Sequence, residues 1–546
     1  MVVKYQIEED SSHITADVII LGCSLPGIVT AHKLKKKFGN TMEIVVLDLA
    51  GEKPGGSKCN VAFQCEDDEE SKETYDEGSA KEVIDNLARH YLTMIAKDFN
   101  IPLPDAIIAP EKVRTPLNKL FEYKNGMTAE CLRNFHDFDY LNVLEKFELN
   151  QYQTLLDENM KSLFQANKFD DASERNRLLY YDQTTMEKHL CGALLFPNSR
   201  DIMRTTVRLV CGASAKTVSV LFYLHQCYRS SSSRNHLDGN NTKFREKLLG
   251  YCRKRIANKL QKSIANITHS AKTIKKISSQ ADEQVILKTI KGDTKYVCSL
   301  LAMAIRPDEL RNFEFEAQLL TDREIAIITS MIKGKAKKFL VQYEEHFWRR
   351  DGYSGDILSI KGPIIWATER PKISTTGSME RYAALIGYLR VQDDEGNLRD
   401  GVLSQLVSLF GEEAAEPISY NETDISDIYV PCCGDFITLR RLTLKTVPKY
   451  LEWGALDIFS DGDVASALEA GHVAYLHLLS YLRPQAQTYE DVSIAEWPTI
   501  IYDNPFQEWF AQLTLTTGVR LMVYTAIAYI GMRLNRMVMG LNIFLK

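Results

Sequence analysis

Residues 17–48 read DVIILGCSLPGIVTAHKLKKKFGNTMEIVVLD, and this stretch decides the fold. The four consecutive apolar residues 18–21 predict a buried strand, residues 28–38 predict a helix, and residues 44–47 predict a second strand that is closed by an acid. A strand, a glycine-containing turn, a helix and a second strand in this order are typical of a βαβ dinucleotide-binding unit.

Four residues of this unit are candidates for binding a nucleotide. Gly22 permits the tight turn out of the first strand, and Gly27 lets the helix pack closely on the sheet, while the helix N-terminus offers N–H groups to a diphosphate. Asp48 lies 21 residues after Gly27, where an acid can accept hydrogen bonds from a ribose. Ser24 replaces the middle glycine of the motif, so the backbone is expected to approach a phosphate less freely. The alternative is a Rossmann-like layer that binds no nucleotide.

The composition is that of a folded protein, with 45% hydrophobic and 25% charged residues in 546, which is long enough for two or three domains. A net charge of −6 gives no general case for a nucleic-acid partner. The 11 cysteines are an odd number without metal-ligand spacing, which favours free thiols and a reducing compartment. The polar and acidic N-terminus is typical of neither a signal peptide nor a basic transit peptide.

Hydrophobic periodicity predicts further elements along the chain. Helices are expected within residues 85–100, 184–226 and 469–482, strands at 285–290, 296–303, 339–343 and 357–368, and polar surface loops at 66–73 and 229–241.

The C-terminus is unusually apolar. Two uncharged runs, 509–519 and 521–532, are separated by Arg520 and followed by Arg533 and Arg536. The longer run has 12 residues, fewer than the roughly 20 that a membrane-spanning helix needs. Three structures remain open: a span over 513–532 in which Arg520 snorkels or pairs, an interfacial helix, or a helix docked on the body.

Several segments resemble those of one family, the flavin-containing monoamine oxidases, and they occur in the same order over most of the chain. They are PGGS at 54–57, DEG at 76–78, TTMEKHL at 184–190, LHQC at 224–227, FWRRDGYSG at 347–355, YVPCC at 429–433, ALEAG at 467–471, and the apolar tail.

This resemblance implies an α/β, two-domain flavin amine oxidase-like fold with a C-terminal hydrophobic tail. A discontinuous Rossmann-type FAD-binding domain is expected over 14–90, 227–302 and 425–482. A mixed-sheet and helical substrate domain is expected over 91–226 and 303–424, with the tail at 483–546. FAD is the implied cofactor, and a small amine is the implied substrate.

The resemblance also carries roles onto individual positions. Gly55 and Gly56 fall in the family's cofactor-binding glycine segment. Cys433 falls on the position of the cysteine that binds the flavin covalently, with a simple buried thiol as the alternative. Lys338 falls on the active-site lysine, with a surface strand edge as the alternative.

Departures from the family pattern are expected to weaken or abolish FAD binding. Ser57 stands where an arginine is expected, the glycine segment near 248–251 is altered, and a Gly-Thr-Glu segment is missing between 459 and 461. Gly434 and Asp463 replace the two tyrosines of the family's aromatic cage. Asp463 is therefore a candidate catalytic residue, because a carboxylate can contact the second positive group of a polyamine.

Two functions remain open from the sequence. One is oxidative deamination of an amine or polyamine with weakened or altered activity, and the other is a catalytically inactive pseudo-oxidase with an interaction or scaffold role. A nicotinamide reductase is disfavoured, because the resemblance extends far beyond the nucleotide motif. The resemblance implies attachment to the mitochondrial outer membrane with the body facing the cytosol, and a cytoplasmic protein is the alternative. The sequence leaves the oligomeric state undetermined.

Overall fold

The computed structural model describes residues 12–49, 73–75, 94–95, 97–99, 117–164, 172–229, 237, 256–270, 274–280, 284–289, 294–334, 336–369, 373–375, 378–379, 383–390, 398–425, 429–442, 450–453, 464–488 and 515–544. The strands are β1 Ser12–Leu21, β2 Ile44–Asp48, β3 Glu73–Tyr75, β4 Asn118–Glu122, β5 Thr128–Cys131, β6 Thr268–Ser270, β7 Ile274–Gln280, β8 Gln284–Thr289, β9 Thr294–Met303, β10 Glu314–Phe315, β11 Ile332–Lys333, β12 Ala336–Tyr343, β13 Tyr353–Ser359, β14 Ile364–Glu369, β15 Ile373–Thr375, β16 Ser378–Met379, β17 Ala383–Arg390, β18 Ser419–Ile425, β19 Tyr429–Val430 and β20 Leu451–Glu452. The helices are α1 Leu25–Phe38, α2 Val143–Phe164, α3 Ala172–Asp182, α4 Met186–Ala193, α5 Pro197–Cys211, α6 Val220–Arg229, α7 Asp322–Thr329, α8 Phe347–Arg350, α9 Leu398–Phe410, α10 Phe436–Leu442, α11 Val464–Leu482 and α12 Leu515–Phe544.

The first sheet has eight strands and a parallel centre; seven of them follow the order β10-β7-β8-β9-β1-β2-β6, and the eighth, β20, pairs with β9. The strand β1 pairs in parallel with both β2 and β9. The antiparallel β8 and the parallel β20 share the other edge of β9, with β20 at its carboxyl end. Ile19 and Leu21 face one hydrophobic cluster while Val18 and Ile20 face another, which explains the continuous apolar run in β1, because a central strand is covered on both faces.

Two helices cover one face of this sheet and pack tightly on each other. Thr30 of α1 donates a hydrogen bond to the carbonyl of Gly471 in α11 at 3.0 Å. A Cβ atom at Gly471 would lie 2.6 Å from the Pro26 carbonyl oxygen. This close approach fixes where α1 begins relative to the carboxyl edge of the sheet.

The second sheet has seven strands in the order β18-β12-β17-β14-β13-β4-β5. One face packs with α9 around Phe339 and Leu406. The other face, with Phe121 and Trp366, joins the cluster that includes the first sheet and helices α2–α6. One continuous core therefore lies between the two sheets and the helices.

Several boundaries differ from the sequence predictions. The helix α1 begins at Leu25 instead of residue 28, because Pro26 in the first turn is compatible with a helix start. The predicted strand 357–368 is two antiparallel strands, β13 and β14, with a turn at the cis Gly362–Pro363 bond. The strand β10 pairs with β7 in the first sheet, although residues 303–424 were assigned to the substrate-type domain. The domain boundaries themselves stay a prediction.

The tail forms one long helix, α12, whose side chains are described to residue 534. Over the described residues, a single helix is long and apolar enough to cross a membrane, at Leu515–Leu534, with 6% of its window buried.

Candidate functional site

The candidate nucleotide end lies at the carboxyl edge of the first sheet. Gly22 follows β1 with φ of +101°, a conformation that glycine adopts at little cost, and its N–H donates to the Leu47 carbonyl at 2.9 Å. A Cβ atom at Gly22 would lie 2.4 Å from the Ala304 carbonyl oxygen, and one at Gly27 would lie 2.5 Å from the Ala304 Cβ. Both glycines are therefore required by the close approach of the residue that follows β9.

The N-terminus of α1 opens at the same edge. Ser24 is the N-cap residue with an extended backbone, and its carbonyl accepts the N–H of Ile28 at 2.9 Å. The first turn of a helix leaves N–H groups without intrahelical partners, and Pro26 removes one of these donors. The turn can thus present the amides of Leu25 and Gly27 to an anion.

Asp48 ends β2 at this carboxyl edge. It is buried, and its backbone is in register with Ser270 of β6. Ligands of open α/β sheets bind outside the carboxyl ends of the strands. The structure therefore brings Gly22, Gly27 and Asp48 to one edge, as the nucleotide interpretation requires.

A chain of contacts leads from this edge to Cys433. After β9 the chain turns through Asp308, whose carboxylate accepts the Tyr429 hydroxyl at 2.8 Å. Tyr429 lies in β19, which pairs with β11, and Cys432 follows with its Sγ 3.0 Å from the Ser330 carbonyl oxygen. These contacts join the turn that carries the two adjacent cysteines to the segment that follows β9.

The Cys433 thiol is partly buried and donates to the Asp182 carbonyl at 3.2 Å. Burial raises the pKa of the Cys433 thiol, and the neighbouring carboxylates Asp182 and Asp435 raise it further. Only the thiolate is strongly nucleophilic. The surroundings therefore keep Cys433 protonated at neutral pH in the protein without a bound group.

Asp182 is a candidate functional residue that the sequence analysis missed. It ends α3, is 1% exposed, and its Oδ2 accepts the N–H of Ile437 in the first turn of α10 at 3.1 Å. Burial raises the pKa of Asp182 to about 6, against the opposing effect of hydrogen bonds from the backbone N–H groups of Ile437 and Phe436. Asp182 thus holds both ends of the cysteine turn, because its carbonyl accepts from Cys433 and its carboxylate caps α10. No local pattern could reveal this, since residues 182 and 433 meet only in the folded chain.

Gly434 has φ of +101°, which explains the glycine at this position. Among the described residues, a Cβ atom there would meet the Gln183 Cγ alone, at 4.0 Å. Gly434 itself supplies no ring at the position where the resemblance places the first cage tyrosine.

Lys338 lies on β12, which is flanked on both sides by β17 and β18. It is therefore not on an edge strand. Its Nζ lies 5.5 Å from the ring centre of Tyr388, whose ring is 5.9 Å from that of Trp366, so the ammonium group faces the aromatic side of the sheet. The strand that precedes β12 pairs with β19, which connects Lys338 through the backbone to the cysteine turn.

The remaining site predictions fall on Gly55, Gly56 and Asp463, which lie outside the described residues together with the altered position Ser57. Within the part of the chain that the structure describes, no group of three or more acidic, histidine or cysteine side chains could hold a metal ion.

Comparison with known proteins gives matches in sequence and in fold. Residues 217–430 match the family described as flavin containing amine oxidoreductase. A protein of Dictyostelium discoideum named "Probable flavin-containing monoamine oxidase A" is 25% identical over 216 residues, which are 38% of this chain and 47% of that protein. The chain therefore matches less than half the length of this relative.

Two solved amine oxidases share the fold over 86% of this chain. Wild-type putrescine oxidase bound to putrescine is matched over 100% of its length, with a TM-score of 0.62 and 13% identity. Cyclohexylamine oxidase from Brevibacterium oxydans is matched over 99% of its length, with a TM-score of 0.61 and 17% identity. Residues 217–430 are therefore similar in sequence to the flavin containing amine oxidoreductase family, and the chain shares the fold of solved amine oxidases.

Proposed function

We propose that the chain is an FAD-dependent oxidase of an amine or polyamine, with activity that is weakened or altered relative to enzymes that keep the aromatic cage. The observation that carries the proposal is the connection from the carboxyl edge of the first sheet, through Asp308 and Tyr429, to the Cys433 turn. The names of the matched proteins support amines as the substrate class.

The described residues fit one end of FAD. The turn at Gly22 and the N-terminus of α1 would hold its diphosphate, and Asp48 would accept hydrogen bonds from its ribose. When bound, FAD accepts a hydride equivalent from the carbon beside the amine nitrogen. The protein contributes orientation, a dry environment and control of protons.

FAD is expected to bind more weakly than in family members with the full set of motifs. Each lost charge-assisted hydrogen bond removes roughly 1.5–3 kcal/mol, and Ser57 supplies no positive charge to the diphosphate. If Cys433 is the covalent attachment point, its protonated state must first be overcome, because burial and Asp182 oppose the thiolate.

The substrate preference is expected to differ from that of monoamine oxidases. Gly434 offers no ring to an amine, and Asp463 offers a carboxylate, so simple aromatic monoamines lose a face contact. Lys338 faces the aromatic side of the second sheet, where we propose that it holds a water molecule and assists the reduction of oxygen.

The visible absorption spectrum of the purified protein tests the cofactor proposal. A yellow protein that releases its flavin on denaturation supports weak, noncovalent FAD. Flavin that stays covalently bound refutes the weak-binding proposal, and Cys433→Ala should then free it while Cys432→Ala should not. A colourless protein that does not take up added FAD favours the pseudo-oxidase with an interaction role.

Peroxide release tests the substrate proposal. Tyramine and phenethylamine should give little or no peroxide, and any activity should appear with a polyamine and fall in Asp463→Asn. Ordinary turnover of both aromatic monoamines would contradict the assignment of Gly434 and Asp463.

We also propose that α12 attaches the chain to a membrane, with the mitochondrial outer membrane and a cytosolic body as the first location to examine. The uncharged run from residue 521 to 532 has 12 residues, or about 18 Å of helix. Snorkelling of Arg520 and Arg533 at its two ends extends this towards the roughly 30 Å of a hydrocarbon core. Carbonate-washed membranes should retain the full-length protein. Recovery in the soluble fraction, unchanged by truncation before Trp509, would favour a cytoplasmic protein.

A further inference from the structure

The first two turns of α2 have the reverse of the polarity expected for a helix on a protein surface. Glu145 and Glu148 are only 5% and 2% exposed, whereas Val143, Leu144 and Phe147 are 82%, 58% and 44% exposed. A surface helix normally turns its charged side to water and its apolar side to the core. The inversion leaves a group of apolar side chains facing outward.

The buried carboxylates fix this orientation. Glu148 accepts the backbone N–H groups of Leu195 at 2.5 Å and Phe196 at 3.3 Å, and Glu145 accepts the Asn198 amide at 3.0 Å. These bonds tie the start of α2 to the connection between α4 and α5, where Leu195 is also exposed. We call the resulting exposed group the apolar patch: Val143, Leu144, Phe147 and Leu195.

The apolar patch lies beside the base of the tail helix. Thr516 of α12 donates to the Ala193 carbonyl, two residues before Leu195, and Arg520 donates to the Gly192 carbonyl at 3.3 Å. Beyond Arg520, α12 exposes large apolar side chains on all sides, at Leu521, Met522, Val523, Tyr524, Ile527, Tyr529, Ile530, Met532 and Leu534. The apolar surface therefore continues from the body onto the helix.

We infer that the apolar patch rests in the headgroup region of the same bilayer that receives α12, so that the body lies against the membrane instead of hanging from the tail. This inference rests on the proposed membrane attachment. Continuity with an all-round apolar helix favours a lipid surface over a second copy of the chain, because one bilayer would cover both the exposed side chains of α12 and the apolar patch beside its base. Apolar side chains of interfacial segments reach about 5–10 Å into the headgroup and acyl boundary.

Depth-dependent fluorescence quenching tests the inference with the full-length protein. The variant Phe147→Trp is reconstituted in vesicles of about four parts phosphatidylcholine to one part phosphatidylserine, with the phosphatidylcholine brominated either near the headgroup or near the end of the chain. The parent protein gives the background from its own tryptophans. The matched control is Ile418→Trp. The exposed fraction of Ile418, 46%, is similar to the 44% of Phe147, but Ile418 directly precedes β18 of the second sheet.

The indole introduced by Phe147→Trp should lose about half of its emission with lipid brominated near the headgroup, and clearly less with lipid brominated near the chain end, as expected for interfacial depth. The indole introduced by Ile418→Trp should be unaffected by either lipid. Co-flotation of the protein with the same vesicles after a carbonate wash measures the membrane attachment of the tail separately.

The outcomes separate the two proposals. Loss of flotation would refute the membrane attachment itself. Flotation without quenching of the Phe147→Trp indole would overturn the inference about the apolar patch and leave the tail attachment standing. A detergent-solubilised dimer that becomes monomeric in Leu144→Glu, with no quenching, would assign the patch to a second copy of the chain.

Discussion

Replacement of Asp182 by asparagine should stabilise the protein at alkaline pH. Burial raises the pKa of Asp182 from 3.8 to about 6. An acid with a raised pKa contributes stability that is fully present below its unfolded-state value, and this contribution is lost as the pH rises through the folded-state value. Asparagine can still accept the Ile437 N–H but carries no charge, so Asp182→Asn avoids this loss.

The magnitude follows from the two pKa values. At 1.36 kcal/mol per pKa unit, the charged form of Asp182 costs at most about 3 kcal/mol at pH 8 and about half of that at pH 5. With roughly 2.1 cal/mol/K of unfolding entropy per residue, this corresponds to an increase of about 2–3 °C in the thermal midpoint at pH 8.

Thermal unfolding of the full chain in detergent, followed by circular dichroism between pH 5 and pH 8, measures the effect. Asp139→Asn is the control, because Asp139 is exposed and hydrogen bonding to Lys146 lowers its pKa, so its replacement should not raise the midpoint at pH 8. A difference between Asp182→Asn and the parent protein that does not change with pH would refute the assignment of a buried, pH-sensitive carboxyl.

Three further predictions concern separate parts of the structure. Gly471→Ala should destabilise the packing of α1 on α11 by about 1–3 kcal/mol, because its Cβ would lie 2.6 Å from a carbonyl oxygen. The control is Gly518→Ala, whose Cβ would meet none of the described residues within 4 Å, and equal unfolding midpoints in urea for the two variants would contradict the prediction. Gln405→Ala should lower the free energy of unfolding by about 2–4 kcal/mol. It removes a hydrogen-bond donor from the fully buried Glu122 carboxylate and an acceptor from the Ile364 N–H. An unchanged denaturant unfolding curve would disprove the role of this network. If the protein is active, Lys338→Met should slow flavin reoxidation in stopped-flow measurements. Lys337→Met, which removes the ion pair with Glu422 on the neighbouring strand, should leave it unchanged. Equal slowing in both variants would remove Lys338 from its proposed role.

The nucleotide end of the molecule was predictable from the sequence because its determinants are local. Residues 18–21 and 44–47 are apolar without interruption, since both strands are buried on both faces, and Gly22 with Pro26 marks the turn into α1. The apolar character of the tail was predictable for the same reason, because it is contained in the neighbouring uncharged runs 509–519 and 521–532.

Other boundaries required tertiary context. The run 357–368 has the composition of one strand, and only the turn at Gly362–Pro363 and the pairing of β14 with β17 divide it into two. The position of Lys338 on an interior strand also depends on β18, which joins the sheet from about 80 residues later in the chain.

The sequence by itself determined the βαβ unit, the apolar tail and the family resemblance, because these are written in short runs of neighbouring residues. Only the tertiary structure decided that Asp182 holds the Cys433 turn and that Glu145 and Glu148 face inward while Phe147 faces outward. Both arrangements depend on hydrogen bonds between residues that are dozens to hundreds of positions apart, and the free energy that selects them comes from satisfying buried polar groups. A local sequence pattern contains no record of which distant N–H group will satisfy a given carboxylate.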